Sequence, residues 1–221
     1  SPFTGLGLLL AAWVAVSTLW GVVQRLRVHP AGVWGGLLSQ PGAWLGMVVS
    51  HLGVAVFIAG VTVVSSFNTE NDVRMEVGQS AEVGGYRFEL QKMELVQGPN
   101  YTSAQGQMLV TQDGEVVSVL RPERRIYTVS RMPLTEVAID RSVMRDLYVA
   151  LGEPVSETAW SVRLHHKPLV NWIWGGCLMM AIGGFLAMAD RRYRAVQTRR
   201  REAEPTVAPG LSPPVAQKVQ P

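Results

Sequence analysis

Apolar and charged positions are strongly segregated along this chain. Phe3 to Val23 holds no charged side chain, Trp44 to Phe67 holds only the ionisable His51, and Val170 to Ala189 again holds none. Each stretch reaches the roughly 20 residues that cross about 30 Å of hydrocarbon as an α-helix. The pattern predicts three transmembrane helices, over residues 1–24, 44–67 and 169–189, with a loop at 25–43 joining the first two. The first stretch does not read as a signal peptide, because no Lys or Arg precedes it and no small-residue cleavage site follows. The chain opens on Ser1 directly before a span, which leads us to expect the C-terminal part of a longer membrane protein.

Residues 68–168 follow a different period. "YRFELQKMEL" alternates, with Tyr86, Phe88 and Leu90 on one face and Arg87, Glu89 and Gln91 on the other; "RRIYTVSR" and "LTEVAID" do the same. Turn signals fall at Gly84-Gly85, Gly98-Pro99-Asn100, Asp113-Gly114 and Gly152-Glu153-Pro154. "MLVTQDGEVVSVL" places two β-rich runs around Asp-Gly, a tight-hairpin signal. The expected fold class is therefore a membrane protein of α-helical transmembrane spans with an inserted all-β extracytoplasmic domain, a sandwich or open barrel of about seven to nine short strands. "DRSVMRDLYVALGE" has the composition for one helical turn, but Leu147, Val149 and Leu151 alternate as in a strand. The remainder, 190–221, begins basic and becomes Pro-rich, and is expected to be a disordered cytoplasmic tail.

Charge refines this picture. The sequence pI is near 9.3, yet residues 68–168 carry 11 Lys and Arg against 14 Asp and Glu, a balance of 11 − 14 = −3. The basic surplus lies beside the spans, at Arg25 and Arg27 and at Arg191, Arg192, Arg194, Arg199, Arg200 and Arg201. By the positive-inside rule both clusters belong in the cytoplasm and the acidic middle segment outside. Juxtamembrane runs without interleaved aromatics do not suit nucleic acid, and no nucleic-acid partner is expected.

Candidate chemistry is sparse. The lone cysteine, Cys177, lies within the third span, which excludes an internal disulfide and dithiol oxidoreductase chemistry. There is no His between Thr69 and Leu164, and no nucleophile and base constellation; no catalytic residue is expected in the β domain. His29, next to Pro30, reads as a solvated loop residue. His165-His166 precedes a span that soon carries Trp172 and Trp174, and reads as an interfacial anchor. His51 is the outlier. An imidazole in the bilayer core usually marks a helix-to-helix hydrogen bond, a proton relay or a metal ligand. Its own helical face runs Met47, His51, Ala55, Ala59, Thr62, so small side chains stand above the ring. Such a column suits a flat macrocycle beside an axial ligand, and equally suits close packing of a neighbouring helix. A relay would bring a second ionisable residue in these spans, and none is present.

"HLGVAVFIAGV" on a span, then "ERRIYTVSRMPLTEVAI" and "DLYVALGE" in the β domain, then a last span and a basic tail: this order resembles the C-terminal third of the CcmF family over Gly46 to Arg194. That family is the haem lyase subunit of the multicomponent cytochrome c maturation system. The resemblance implies a multi-pass protein of the bacterial inner membrane, with 68–168 periplasmic, the C-terminus cytoplasmic, and attachment of haem to apocytochrome c at Cys-x-x-Cys-His. It implies that His51 is one iron ligand of a transmembrane haem b, with the second axial ligand outside this segment. Implied partners are haem, a haem chaperone, the apocytochrome-presenting subunits, apocytochrome c and membrane lipid. The family's Trp-rich loop and its outward-facing histidines have no counterpart here, so this segment alone is not expected to be an active lyase. Two alternatives stay open: a non-catalytic anchor displaying a β module for protein recognition, and a component of the other bacterial cytochrome c synthase system. For the second nitrogen of the His51 ring, a hydrogen-bond partner from another helix is expected, because Met47 C=O belongs to the helix ladder.

Overall fold

The computed structural model describes residues 2–30 and 32–190, so the expected tail from Arg191 onward lies outside the described residues. Three helices are long and apolar enough to cross a membrane: α1 (Pro2–Arg27), α3 (Gly42–Phe67) and α4 (Val170–Ala189). The 25–43 connection is not a plain loop. Helix α1 runs on through Arg25 and Arg27, whose cations suit a helix C-terminus, and a short α2 (Gly32–Leu38) follows.

Helices α1 and α4 pack on opposite sides of α3, giving a row. On the α4 side, Gly46, Gly53 and Gly60 recur every seventh residue; Gly46 meets Gly183, Gly53 meets Gly176, and Gly60 meets Ile173 and Trp172. A Cβ on Gly53 would stand 2.8 Å from Gly176 O, and one on Gly176 would stand 2.6 Å from Gly53 O, so only glycine allows this approach. The backbone N–H of Ala43 donates to Asp190 Oδ2 at 2.9 Å, which ties the start of α3 to the end of α4 and satisfies one of the orphan donors of the helix. On the other side Gly7 of α1 accommodates Thr62, and the Thr4 and Ser66 hydroxyls pair at 2.7 Å. At about 100° per residue these contacts fall half a turn away from the glycine face, leaving two open faces on the row.

Ten strands lie between α3 and α4: β1 (Thr69–Glu76), β2 (Ser80–Val83), β3 (Tyr86–Gln97), β4 (Tyr101–Gln112), β5 (Glu115–Leu120), β6 (Glu123–Tyr127), β7 (Pro133–Glu136), β8 (Ala138–Arg141), β9 (Arg145–Pro154) and β10 (Ala159–Pro168). They form two antiparallel sheets, one ordered β1-β10-β9-β8 and the other β2-β3-β4-β6-β7, with β5 also paired to β4. The fold is therefore a sandwich. Phe88, Leu90, Met108 and Val110 of the larger sheet face Met75, Leu147, Val149, Leu151, Val162 and Leu164 of the smaller, all buried. This is the alternation expected of Tyr86, Phe88 and Leu90, and β9 is wholly strand, so no helical turn forms there. Asp113 (φ 52°) and Gly114 (φ 86°) make the hairpin between β4 and β5, the two positive φ values that a right-twisted two-residue turn demands. "LTEVAID" is split instead of continuous: β7 belongs to the larger sheet and β8 to the smaller, with the chain crossing over at Val137.

The sandwich is joined to the helices by single residues. Asn68 separates α3 from β1, Leu169 separates β10 from α4, and β1 and β10 are ladder partners from Thr69↔His166 to Glu76↔Ala159. Bidentate pairing of Arg163 with Asp72, at 2.7 and 2.8 Å, reinforces that ladder on its exposed face.

Candidate functional site

His51 sits about two and a half helical turns from the start of α3 and projects from one flank of the contact between α1 and α3. Its Nδ1–H donates to Met47 O at 2.8 Å. A carbonyl only accepts, so this bond fixes the tautomer and leaves Nε2 carrying the free lone pair. The expected partner on another helix is thus replaced by the ring's own helix. A carbonyl has two lone pairs, and the Met47 oxygen serves the ring as well as the ladder.

Beside His51 a groove of about 560 Å³ opens between α1 and α3. Met47, Val48 and Trp44 line it from α3, and Thr18, Gly21, Val22, Gln24 and Arg25 from α1. The groove runs toward the Met47 end of α3, opposite to the expected direction. The alanine column also borders space: Ala55 is 6% exposed, and Ala55 and Ala59 line, with Ala11, Ala12 and Ala15 of α1, a smaller groove of about 290 Å³. The small side chains thus serve helix packing and still border free space, so open space lies on both sides of the ring and the larger share is on the Met47 side. The groove's far end is polar. Arg25 lies over the Trp44 ring at 5.1 Å, and seven residues of α1, about 10 Å of rise, separate it from Thr18 at the level of His51. An imidazole lone pair at one end of the groove and a guanidinium at the other fit a flat, largely apolar metal macrocycle that carries acid groups on one edge. The Thr18 and Ser17 hydroxyls donate to Val14 O and make no demand on the groove.

The other histidines do not join this site. His29 Nε2 pairs with Ser39 Oγ at 3.0 Å, so it ties the loop to α2's end and is not simply solvated. His165 and His166 are built into β10 and are not free anchors at the interface. His165 is 9% exposed, edge-on to Tyr148 at 5.0 Å, with Glu70 3.7 Å from an Nδ1 that has no hydrogen bond. Burial lowers its pKa below the usual histidine value, against the pull of Glu70. His166 stacks on Tyr86 at 5.5 Å; burial, then Arg145, lowers its pKa as well. Among the described residues no three His, Cys, Asp or Glu side chains converge as a metal site. Sequence reasoning missed Arg25 and Gln24 as groove residues. The signal available was the antiparallel register of the first two spans, which brings the end of one beside the start of the other.

These features define a class: a multi-span membrane protein whose helices open a histidine-bearing groove and whose inserted module is a β-sandwich. Comparison with known proteins narrows it. The family model described as "CcmF C-terminal beta-sandwich" matches residues 66–168. "Cytochrome c-type biogenesis protein CcmF" of Pseudomonas aeruginosa is 45% identical over 184 residues, 83% of this chain and 28% of that protein. The protein of the same name from Escherichia coli is 42% identical over 189 residues, covering 86% and 28%. A solved structure titled "Cytochrome c Heme Lyase CcmF" superposes with a TM-score of 0.61 at 18% identity, covering 84% of this chain and 33% of that one, which speaks to the fold. The chain belongs to the CcmF family, and it spans less than a third of the length of these relatives.

Proposed function

We propose that this chain is the C-terminal part of a cytochrome c maturation haem lyase and that His51 Nε2 is one axial ligand of a haem b in the groove between α1 and α3. The observation that carries the reading is the Nδ1–H···Met47 hydrogen bond, which orients the ring and presents the metal-binding nitrogen. Arg25 and Gln24 would hold the acidic edge of such a haem, and its second axial ligand would come from a helix outside this segment. A haem held there would supply one-electron transfer. The protein's own share is to hold the ring, to offset the burial of an imidazole in lipid, and to exclude water. The family names and the basic residues at the end of α1 support a bacterial inner-membrane location with the sandwich periplasmic. There the sandwich docks the haem chaperone and the apocytochrome-presenting subunits, and apocytochrome c is the substrate.

The test is spectroscopic. The full-length protein should show a six-coordinate, low-spin haem spectrum; His51→Gly should lose it, and added imidazole should restore it. An unchanged spectrum in the His51→Gly protein removes the ligand role. For the sandwich, deletion of residues 73–163 should abolish co-purification of the maturation partners; full retention counts against docking.

A further inference from the structure

The short connection from β8 to β9, Ser142 to Met144, is odd for a turn on a periplasmic module. Val143 is 70% exposed and Met144 60% exposed, while the polar Ser142, also exposed, closes the turn with its backbone N–H on Arg145 O and accepts from Met144 N–H at its hydroxyl. The turn is pinned to the top of α4. Leu169 N–H donates to Met144 O at 2.8 Å, and the Asn171 carboxamide donates to Ser142 O and to Asp146 Oδ1, both at 2.7 Å. Helix α4 has 20 residues, about 30 Å at 1.5 Å per residue, which is the hydrocarbon thickness itself. Its first turn therefore lies at the membrane surface, and so does a turn hydrogen-bonded to it. Trp172, one residue beyond Asn171, is a side chain of the kind that marks this depth.

Val143 also meets the spanning helices themselves. It caps an apolar crevice of about 330 Å³ whose other walls are Val56 of α3 and Trp172, Gly175 and Met179 of α4. The crevice lies on the open face of the helix row that His51 does not occupy: Val56 and His51 are five residues apart, about 140° on the helical wheel. Exposed Arg141 precedes the turn, a cation at the depth of lipid phosphates. Two apolar side chains, a crevice continuous with spanning helices and a flanking cation match one partner.

We propose that Ser142–Met144 is a lipid-inserted wedge, with Val143 and Met144 seated among the acyl chains of the leaflet on the sandwich side and Arg141 at its phosphates. The wedge makes a third attachment of the sandwich to the membrane, beside the α3–β1 and β10–α4 joints. It holds whether or not His51 binds iron.

The experiment is site-directed spin labelling of the full-length protein in nanodiscs of phosphatidylethanolamine and phosphatidylglycerol. In a cysteine-free background that includes Cys177→Ala, Val143→Cys and Met144→Cys are labelled one at a time, with Val129→Cys at the far end of the sandwich as the aqueous reference. Power saturation should give Val143 and Met144 labels several-fold more accessible to oxygen than to a water-soluble nickel chelate, the reverse of Val129. Accessibility to the nickel chelate matching Val129 overturns the proposal, because the turn is then in water. Low accessibility to both reagents also overturns it, because another polypeptide segment then covers the turn.

Discussion

The close approach of α3 and α4 can be tested by one methyl group. In Gly176→Ala the added Cβ would meet Gly53 O at 2.6 Å, Phe57 N at 2.6 Å and Phe57 Cα at 2.8 Å. Ordinary contact begins at 3.4 Å, so the shortfall is 3.4 − 2.6 = 0.8 Å. All three obstacles are backbone atoms of a helix, which cannot rotate aside as a side chain would. The helices must separate, or Ala must strain. Overpacking of this kind costs about 1–3 kcal/mol. Glycine to alanine in a helix interior also gains up to about 1 kcal/mol from propensity alone, which would mask part of the cost. Gly184→Ala supplies the control, because a Cβ there meets nothing within 4 Å. Both variants share the propensity gain, so their difference isolates the clash. Unfolding free energies measured by steric trapping in bicelles should place Gly176→Ala about 1–3 kcal/mol below Gly184→Ala. Equal stabilities would show that the glycine seam is not tight, and the row of helices described above would lose its basis.

Two further outcomes are expected. Burial lowers the pKa of both His165 and His166 in the fold, so the unfolded chain binds more protons; stability is fully present above the unfolded value of about 6.5 and is lost as pH falls through the lowered folded values. Pulse proteolysis of the sandwich between about pH 7.5 and about pH 5 should show this loss, and His165→Gln with His166→Gln should flatten it; an undiminished slope in the double variant would refute the assignment. Gly114→Ala should cost on the order of 1–2 kcal/mol although its Cβ meets nothing, since the φ of 86° alone disfavours it, and denaturant midpoints would reveal a neutral change as the contrary result.

Much of the fold was legible because two periods dominate it. A run without charge as long as Val170–Ala189 has few alternatives to a span, and alternation as regular as Tyr86, Phe88, Leu90 has few alternatives to a half-buried strand. What escaped the sequence depends on neighbours. Nothing local distinguishes Pro133–Glu136 from Ala138–Arg141, because the change of sheet at Val137 is decided by which partner strand each finds. The strands exceeded expectation at ten for the same reason, short edge segments carrying little periodicity of their own. At the candidate site, His51 stood out by composition. The use of Ala55 did not, because a column of small side chains has the same spacing whether a helix or a ligand lies against it, and α1 both packs on this column and leaves a groove beside it. Likewise the Nδ1 partner was misassigned by treating a helix carbonyl as spent after one bond.

The one-residue joints at Asn68 and Leu169 carry a mechanical consequence. A module strung on flexible tethers would swivel freely, but here two adjacent strands run without slack into two adjacent helices, like tines into a handle. Torque applied to the far end of the sandwich would be delivered to the ends of α3 and α4 that meet β1 and β10, and the glycine seam between those helices would pass it on as one body.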